Sequence, residues 1–273
     1  MAAPDRDRNR VMPPSTRSTI TLDVRERVAY LTLARPDAAN AMNLEFGHEF
    51  LAAVLELEAN TAVRAVVLGG QGKSFCFGGD LKGMAAAGEQ LSAHLRELTT
   101  HLHAALTHLT RLDAPVIAAV NGTAAGAGLG LVLAADLAIA ARSAKFVPAY
   151  TGIGVTPDAG CTFLLPRAVG YKRAMELFLT NRVLDAAQAL EWGLVNQVVD
   201  DDKLSDAASA LAERLAAGPT GAFGAVKRLL AESEPGFEGQ LRREGAAISR
   251  QGGSAEGREG IAAFLAKRPP RYP

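Results

Sequence analysis

The chain has 273 residues, of which 48% are hydrophobic, 21% charged and 5% aromatic. That is enough apolar material for one large core or a main domain with an appendage. Lys+Arg and Asp+Glu both number 29, giving a formal net charge of +0, so no global field recruits nucleic acid or an acidic membrane surface.

Residues 1–17 are polar with Pro and Arg and hold no apolar stretch. They read as a disordered lead-in, neither a secretory signal nor an anchor. "STITLDV" and "VAYLTLA" alternate as paired strands around a turn at Arg25 to Arg27. Asn43 then stands as N-cap to "LEFGHEFLAAVLELEAN", whose apolar residues recur at helical spacing. "VRAVVLGG" predicts a buried strand, and "LSAHLRELTTHLHAALTHLTRL" an amphipathic helix leading to a strand over 115–120.

The run from Ala114 to Ala135 carries no charge and is long enough to test as a membrane helix. Pro115, Asn121 and Gly122, Gly126, Gly128 and Gly130 break it. A strand, a tight turn at Asn121–Gly122 and a buried small-residue helix fit it instead. "LAIAA" and "AKFV" add short strands. Beyond about residue 170 the pattern turns helical with "YKRAMELFLT", "DAAQALEWG", "DKLSDAASALAERLAAG" and "TGAFGAVKRLL", then a polar stretch to the tail. The expectation is an α/β core over 18–200 and a helical part over 201–273, too thinly apolar to stand alone. Cys76 and Cys161 lie far apart and suggest reduced thiols in a cytoplasmic protein.

Several motifs fail on inspection. "LGGQGKS" ends like a phosphate loop, but Val67 stands where its first Gly belongs. Gly122, Gly126 and Gly128 open a helix after a strand, yet no acidic residue follows at the spacing a ribose needs, and no Tyr-x-x-x-Lys pair is present. His94, His101 and His108 recur every seven residues, roughly 10 Å apart along a helix, too far to share a metal among themselves. What a glycine-rich helix start offers is backbone N–H groups and a positive dipole end. Two such donors from separate loops make an oxyanion hole, which stabilises a thioester enolate.

"KSFCFGGDLKGM" (73–84) is the candidate second loop. With "NGTAAGAGLGLVLAAD", "LARPDAANAMN", "DAAQALEWGLVNQVV" and "FLAKRPPRY", it closely resembles the crotonase family, the enoyl-CoA hydratases and isomerases. The likeness runs from about Ile20 to Arg271. It implies an α/β fold, a crotonase-like spiral of ββα units with a C-terminal helical part, assembled as trimers or pairs of trimers. It also implies an acyl-CoA substrate and no cofactor beyond that coenzyme A. The thioester oxygen would be held by the N–H groups of Gly79 and Ala127. Ala38, Phe77, Asp80, Leu81 and Lys82 would line the CoA path, and Phe264 and Lys267 would reach a neighbouring subunit's CoA. Asp80 and Asp136 equally fit turn-capping roles.

The family's hydratases use two glutamates, and those positions match Gly130 and Tyr150, so both acids are absent. Open space at Gly130 and the ring of Tyr150 would then shape the acyl pocket. Asp158, in "TGIGVTPDAGCTFLLP", matches the acting aspartate of dienoyl-CoA isomerases and of 4-chlorobenzoyl-CoA dehalogenase. The phenylacetate-pathway isomerase of ring-epoxide acyl-CoA shares the same "PDxG" pattern. Asp158 is expected as proton carrier, with helix N-capping as its plain structural alternative. His103 falls where the dehalogenase keeps a His that activates water. The leading expectation is isomerisation of an unsaturated or ring-modified acyl-CoA. The rivals are hydrolytic aroyl-CoA dehalogenation, residual hydration and non-catalytic acyl-CoA binding.

Overall fold

The computed structural model describes residues 17–233 and 236–273, so the lead-in expected over residues 1–17 lies, but for Arg17, outside the described residues. The chain opens with the hairpin β1 (Ile20–Arg25) and β2 (Val28–Leu33), antiparallel from Ile20 opposite Leu33 to Arg25 opposite Val28. The chain reverses at Glu26, whose φ is +53°. Helix α1 (Leu44–Ala59) starts where Asn43 accepts the Phe46 N–H on its side chain, as its cap position predicts.

Next come β3 (Ala65–Gly70), the short helix α2 (Leu81–Ala86), the long helix α3 (Leu91–Arg111) and β4 (Val116–Val120). Then follow β5 (Thr123–Ala125), α4 (Ala127–Ala134), β6 (Leu137–Ala141) and β7 (Lys145–Val147). The second half holds α5 (Cys161–Val169), α6 (Tyr171–Thr180), β8 (Leu184–Asp185), α7 (Ala186–Glu191), β9 (Gln197–Val199) and α8 (Leu204–Ala216). The chain closes with α9 (Thr220–Ala231), α10 (Phe237–Gly252) and α11 (Ala255–Leu265).

The main sheet has six strands in the order β1-β2-β3-β4-β6-β9, parallel from β2 onward. Because crossover helices cover both faces, its strands read as continuous apolar runs. Val116, Ala118 and Val120 face a core shared with α1, α3 and α4, while Ile117 and Ala119 face α8. Helix α8 presents Leu204, Ala208, Ala212 and Ala216, one stripe at helical spacing, to that second face. The core of the sheet therefore extends past residue 200 to Ala216. A second sheet of three strands, β5-β7-β8, stands apart and carries the site.

One expectation is corrected. The segment after Asn121–Gly122 is not helix at once: Thr123–Ala125 first pairs with Lys145–Val147 as strand, and α4 begins only at Ala127. The expected C-terminal helical part includes α10 and α11, amphipathic helices that leave Phe237, Leu241, Ile248, Ile261, Phe264 and Leu265 exposed in the single chain. Ala114–Ala135 is strand, turn, strand and helix within the fold. Among the described residues no helix is long and apolar enough to cross a membrane.

Candidate active site

Three segments meet where the parallel strands β5 and β7 end. The 73–84 loop docks on the outer side of β5 through a bridge between Cys76 and Ala124, with Cys76 N–H donating to Thr123 O and Ala125 N–H to Cys76 O. The first helical residues of α4 follow directly from β5, and Tyr150 follows from β7, whose Val147 carbonyl accepts the Gly126 N–H.

Glycine makes this crowding feasible at two positions of α4. A β-carbon at Gly128 would stand 2.2 Å from the Cys76 carbonyl oxygen, and one at Gly130 would stand 2.6 Å from Ala159 Cβ and 2.7 Å from Ala159 O. One glycine admits the 73–84 loop and the other the turn that bears Asp158. The open space expected at Gly130 is thus corrected: Ala159 and Cys161 already fill it.

Gly79 sits in a parallel bridge with Met42, in which Met42 N–H donates to Gly78 O and Asp80 N–H to Met42 O. Its own N–H points to the other side. Among the described residues neither the Gly79 N–H nor the Ala127 N–H donates a hydrogen bond. Gly78 brings the loop against α4, since a β-carbon there would lie 3.0 Å from the Ala127 nitrogen. The pair is thus two unsatisfied donors from distant loops, one of them at a helix N-terminus.

Asp158 does not cap α5. The residue flanking that helix is Gly160, with no side-chain cap, and only the Asp158 carbonyl accepts the Cys161 N–H. The carboxylate instead accepts the Tyr150 hydroxyl on Oδ1 at 2.7 Å, and its Oδ2 lies 4.0 Å from Nε2 of His103. Tyr150 is buried, and burial, with Cys161 and Asp158 beside it, pushes its hydroxyl far above the usual range, so it stays a donor. Cys161 completes the chain of contacts, 3.7 Å from the Tyr150 hydroxyl and donating to the Gly126 carbonyl at 3.8 Å. Burial pushes its thiol up to about 12, which makes it a neutral packing group. His103 stands on α3 and accepts the Ala159 N–H on Nε2 at 3.2 Å.

The other expected residues divide. Ala38 ends a single 3₁₀ turn, Pro36–Ala38, beside the loop, and the Phe77 N–H donates to Ala39 O. Phe77, Leu81 and Lys82 are exposed around it, forming one apolar and basic lip. Asp80 is corrected. It caps α2 through the Lys82 and Gly83 N–H groups and pairs with Arg35 at 3.1 Å. Partial burial pulls its carboxyl up, yet the Gly83 bond and Arg35 hold it below the usual range. Asp136 accepts the Val116 N–H and Lys227, tying β4 to α9 rather than entering the site. Phe264, 83% exposed, lies in the last turn of α11 and the exposed Lys267 just beyond it. A cleft of about 620 Å³ lined by His103, Ala159, Phe163, Leu133 and Lys227 opens at the far end of α4, and neither free amide lines it.

Asn40 was not singled out by its sequence. It is 0% exposed, its amide donates to the carbonyls of Gln71, Ser74 and Phe75, and its oxygen accepts the Arg35 N–H. It adopts φ +55°, a left-handed position that Asn tolerates, and the quoted "AAN" before "AMN" was the available signal.

A sequence model described as enoyl-CoA hydratase/isomerase matches residues 23–273. The chain belongs to the enoyl-CoA hydratase/isomerase family. It is an enzyme of that type. It is 41% identical to the 1,2-epoxyphenylacetyl-CoA isomerase of Escherichia coli K12 over 91% of this chain and 96% of that protein. It is 40% identical to 4-chlorobenzoyl coenzyme A dehalogenase-2 of an Arthrobacter species over 78% of each chain. The crystal structure of an enoyl-CoA hydratase from Polaromonas sp. JS666 superposes with a TM-score of 0.89 at 34% identity, covering 93% of this chain and 99% of that one. Within the enoyl-CoA hydratase/isomerase family these relatives carry different activities, so the fold and the family do not choose among isomerase, hydratase and dehalogenase.

Proposed function

We propose that this enzyme isomerises an unsaturated or ring-modified acyl-CoA, with Asp158 as the single proton carrier. The thioester carbonyl accepts hydrogen bonds from the Gly79 and Ala127 amides, whose lack of other acceptors supports this role. Tyr150 holds Oδ1 of Asp158, which leaves Oδ2 to take a proton from the acyl chain. The electron pair of that C–H bond moves onto the thioester oxygen as an enolate, which the two amides stabilise. Protonated Asp158 then returns the proton to a different carbon as the enolate collapses, so atoms and charge balance without water or a second acid. Ala38, Phe77, Leu81 and Lys82 guide the coenzyme A portion, which is part of the substrate; no separate cofactor is invoked.

The observation that carries this reading is the pairing of one carboxylate with a site that has no room for another. At Gly130, where the family's hydratases hold a glutamate, a side chain would run into Ala159, and at Tyr150 a hydroxyl donates to Asp158. The 4.0 Å approach of His103 to Asp158 favours hydrolytic dehalogenation of an aroyl-CoA as a second reading. In that reaction the aspartate attacks the ring and His103 activates water. His103 Nε2 is already taken by the Ala159 N–H, which weakens it as the base. The exposed apolar residues Ile248, Ile261, Phe264 and Leu265 support assembly through α10 and α11 into trimers or pairs of trimers.

The decisive variant is Asp158→Asn. It is expected to fold, to bind an acyl-CoA and to lose about 10²–10⁴ of turnover on a 3-enoyl-CoA. Wild-type turnover in the variant overturns the proton-carrier role. Halide release from 4-chlorobenzoyl-CoA that depends on His103 selects the dehalogenase reading instead.

A further inference from the structure

Helices α1 and α3 cross at Gly47. A β-carbon there would stand 3.2 Å from Leu98 Cδ1 and 3.4 Å from His101 Cβ. The close approach seats the next residue of α1, His48, edge-on against His101, with ring centroids 4.0 Å apart and planes at 74°. Glu97 precedes His101 by one helical turn and so shares its face of α3. Its Oε1 lies 3.8 Å from Nε2 of His48. One ligand atom from each of the three residues lies within 4.8 Å of both others.

We propose that His48, Glu97 and His101 form a binding site for one divalent transition-metal ion, which staples α1 to α3. Two imidazoles and one carboxylate are the donor set of zinc, nickel or copper, whereas magnesium and calcium require a shell of oxygens. Bonds of roughly 2.0–2.2 Å to N and O require the donors to draw together by a small side-chain rotation. His48 and Glu97 are both 52% exposed and free to make it. Water completes the coordination on the solvent side. The three ligands come from two elements, so binding stabilises their crossing. Helix α3 also carries His103 two residues beyond His101, so the ion sits on the helix that braces the Asp158 turn. The two cysteines, Cys76 and Cys161, are buried, with thiols pushed up to about 12, and so offer no thiolate to compete for the ion.

The test is calorimetric titration of zinc chloride into the chelator-treated, tag-free full-length protein, with thermal unfolding read in parallel. One saturable site per chain and a rise in the unfolding midpoint with zinc, absent with magnesium, are expected. His48→Ala, Glu97→Gln and His101→Ala should each weaken zinc binding by at least about tenfold. His94→Ala, one residue of the same helix outside the cluster, should leave it unchanged. The absence of a saturable zinc site overturns the proposal. So does retention of wild-type affinity in His48→Ala, and so does loss of binding in His103→Ala alone, which would move the ion to the Asp158 turn.

Discussion

The Tyr150 hydroxyl donates to Oδ1 of Asp158 across 2.7 Å, and the intervening chain turns back at Gly154 with φ +75° to make that possible. A hydrogen bond to a charged acceptor is among the stronger ones, about 1.5–3 kcal/mol. Here it acts on orientation, because it occupies one carboxylate oxygen and presents the other. Tyr150→Phe should therefore keep the fold, since the ring remains, and lower kcat by about tenfold with KM little changed. Steady-state kinetics on a 3-enoyl-CoA read the split, and a rise in KM with kcat intact would show that Tyr150 serves binding alone.

Gly130→Ala should destabilise the protein by about 1–3 kcal/mol, because the new methyl meets both the side chain and the carbonyl of Ala159. Gly130→Glu should be worse and should not confer hydration of crotonyl-CoA. Urea unfolding measures the first effect and loss of enoyl absorbance the second. A folded glutamate variant that hydrates would overturn the steric account.

Asn40→Ala removes the tie between the 35–41 turn and the 71–75 segment. It strands the Arg35 N–H and leaves carbonyls of Gln71, Ser74 and Phe75 short of a partner. A buried polar group left unpaired costs about 1–3 kcal/mol, so a loss of at least that order is expected in chemical denaturation. Because this segment leads into Gly79, weaker acyl-CoA binding should accompany it, visible by calorimetry.

The Asp136–Lys227 pair supplies a pH signature. Burial pushes the Asp136 carboxyl up, while Lys227 at 2.7 Å and the Val116 N–H pull it part of the way back. A carboxyl raised in the folded state contributes stability at low pH that is lost as pH climbs through the raised value. Lys227→Met removes the compensating cation and leaves an unpaired carboxylate at neutral pH, a loss on the order of 3 kcal/mol. That loss should shrink as the medium is acidified and Asp136 takes up its proton. Urea unfolding at neutral and at mildly acidic pH checks the sign; a pH-independent loss would mean that packing alone is at stake.

Much of the scaffold is legible locally. The hairpin at Ile20–Leu33, the Asn43 cap, the stripe of α3 and the two-sided burial of β4 all follow from spacing within one segment. The C-terminal part was legible as helix, but its packing was not, because the apolar positions of α10 and α11 lie on a face left open in the chain. Strand β5 escaped because three residues are too few to show a period, and only pairing with β7 defines them.

The sequence by itself determined the family motifs, a helix that begins in glycine and alanine, and a single candidate acid at 158 where two glutamates are missing. Only the tertiary structure decided what those parts touch: Gly130 makes room for Ala159, Asp80 caps α2 and pairs with Arg35, and His48 meets His101 across the α1–α3 crossing. The physical reason is range. Periodicity and capping are set by residues within a turn or two of each other, whereas who touches a glycine or a carboxylate depends on segments tens of residues apart that pack only once the sheet has formed.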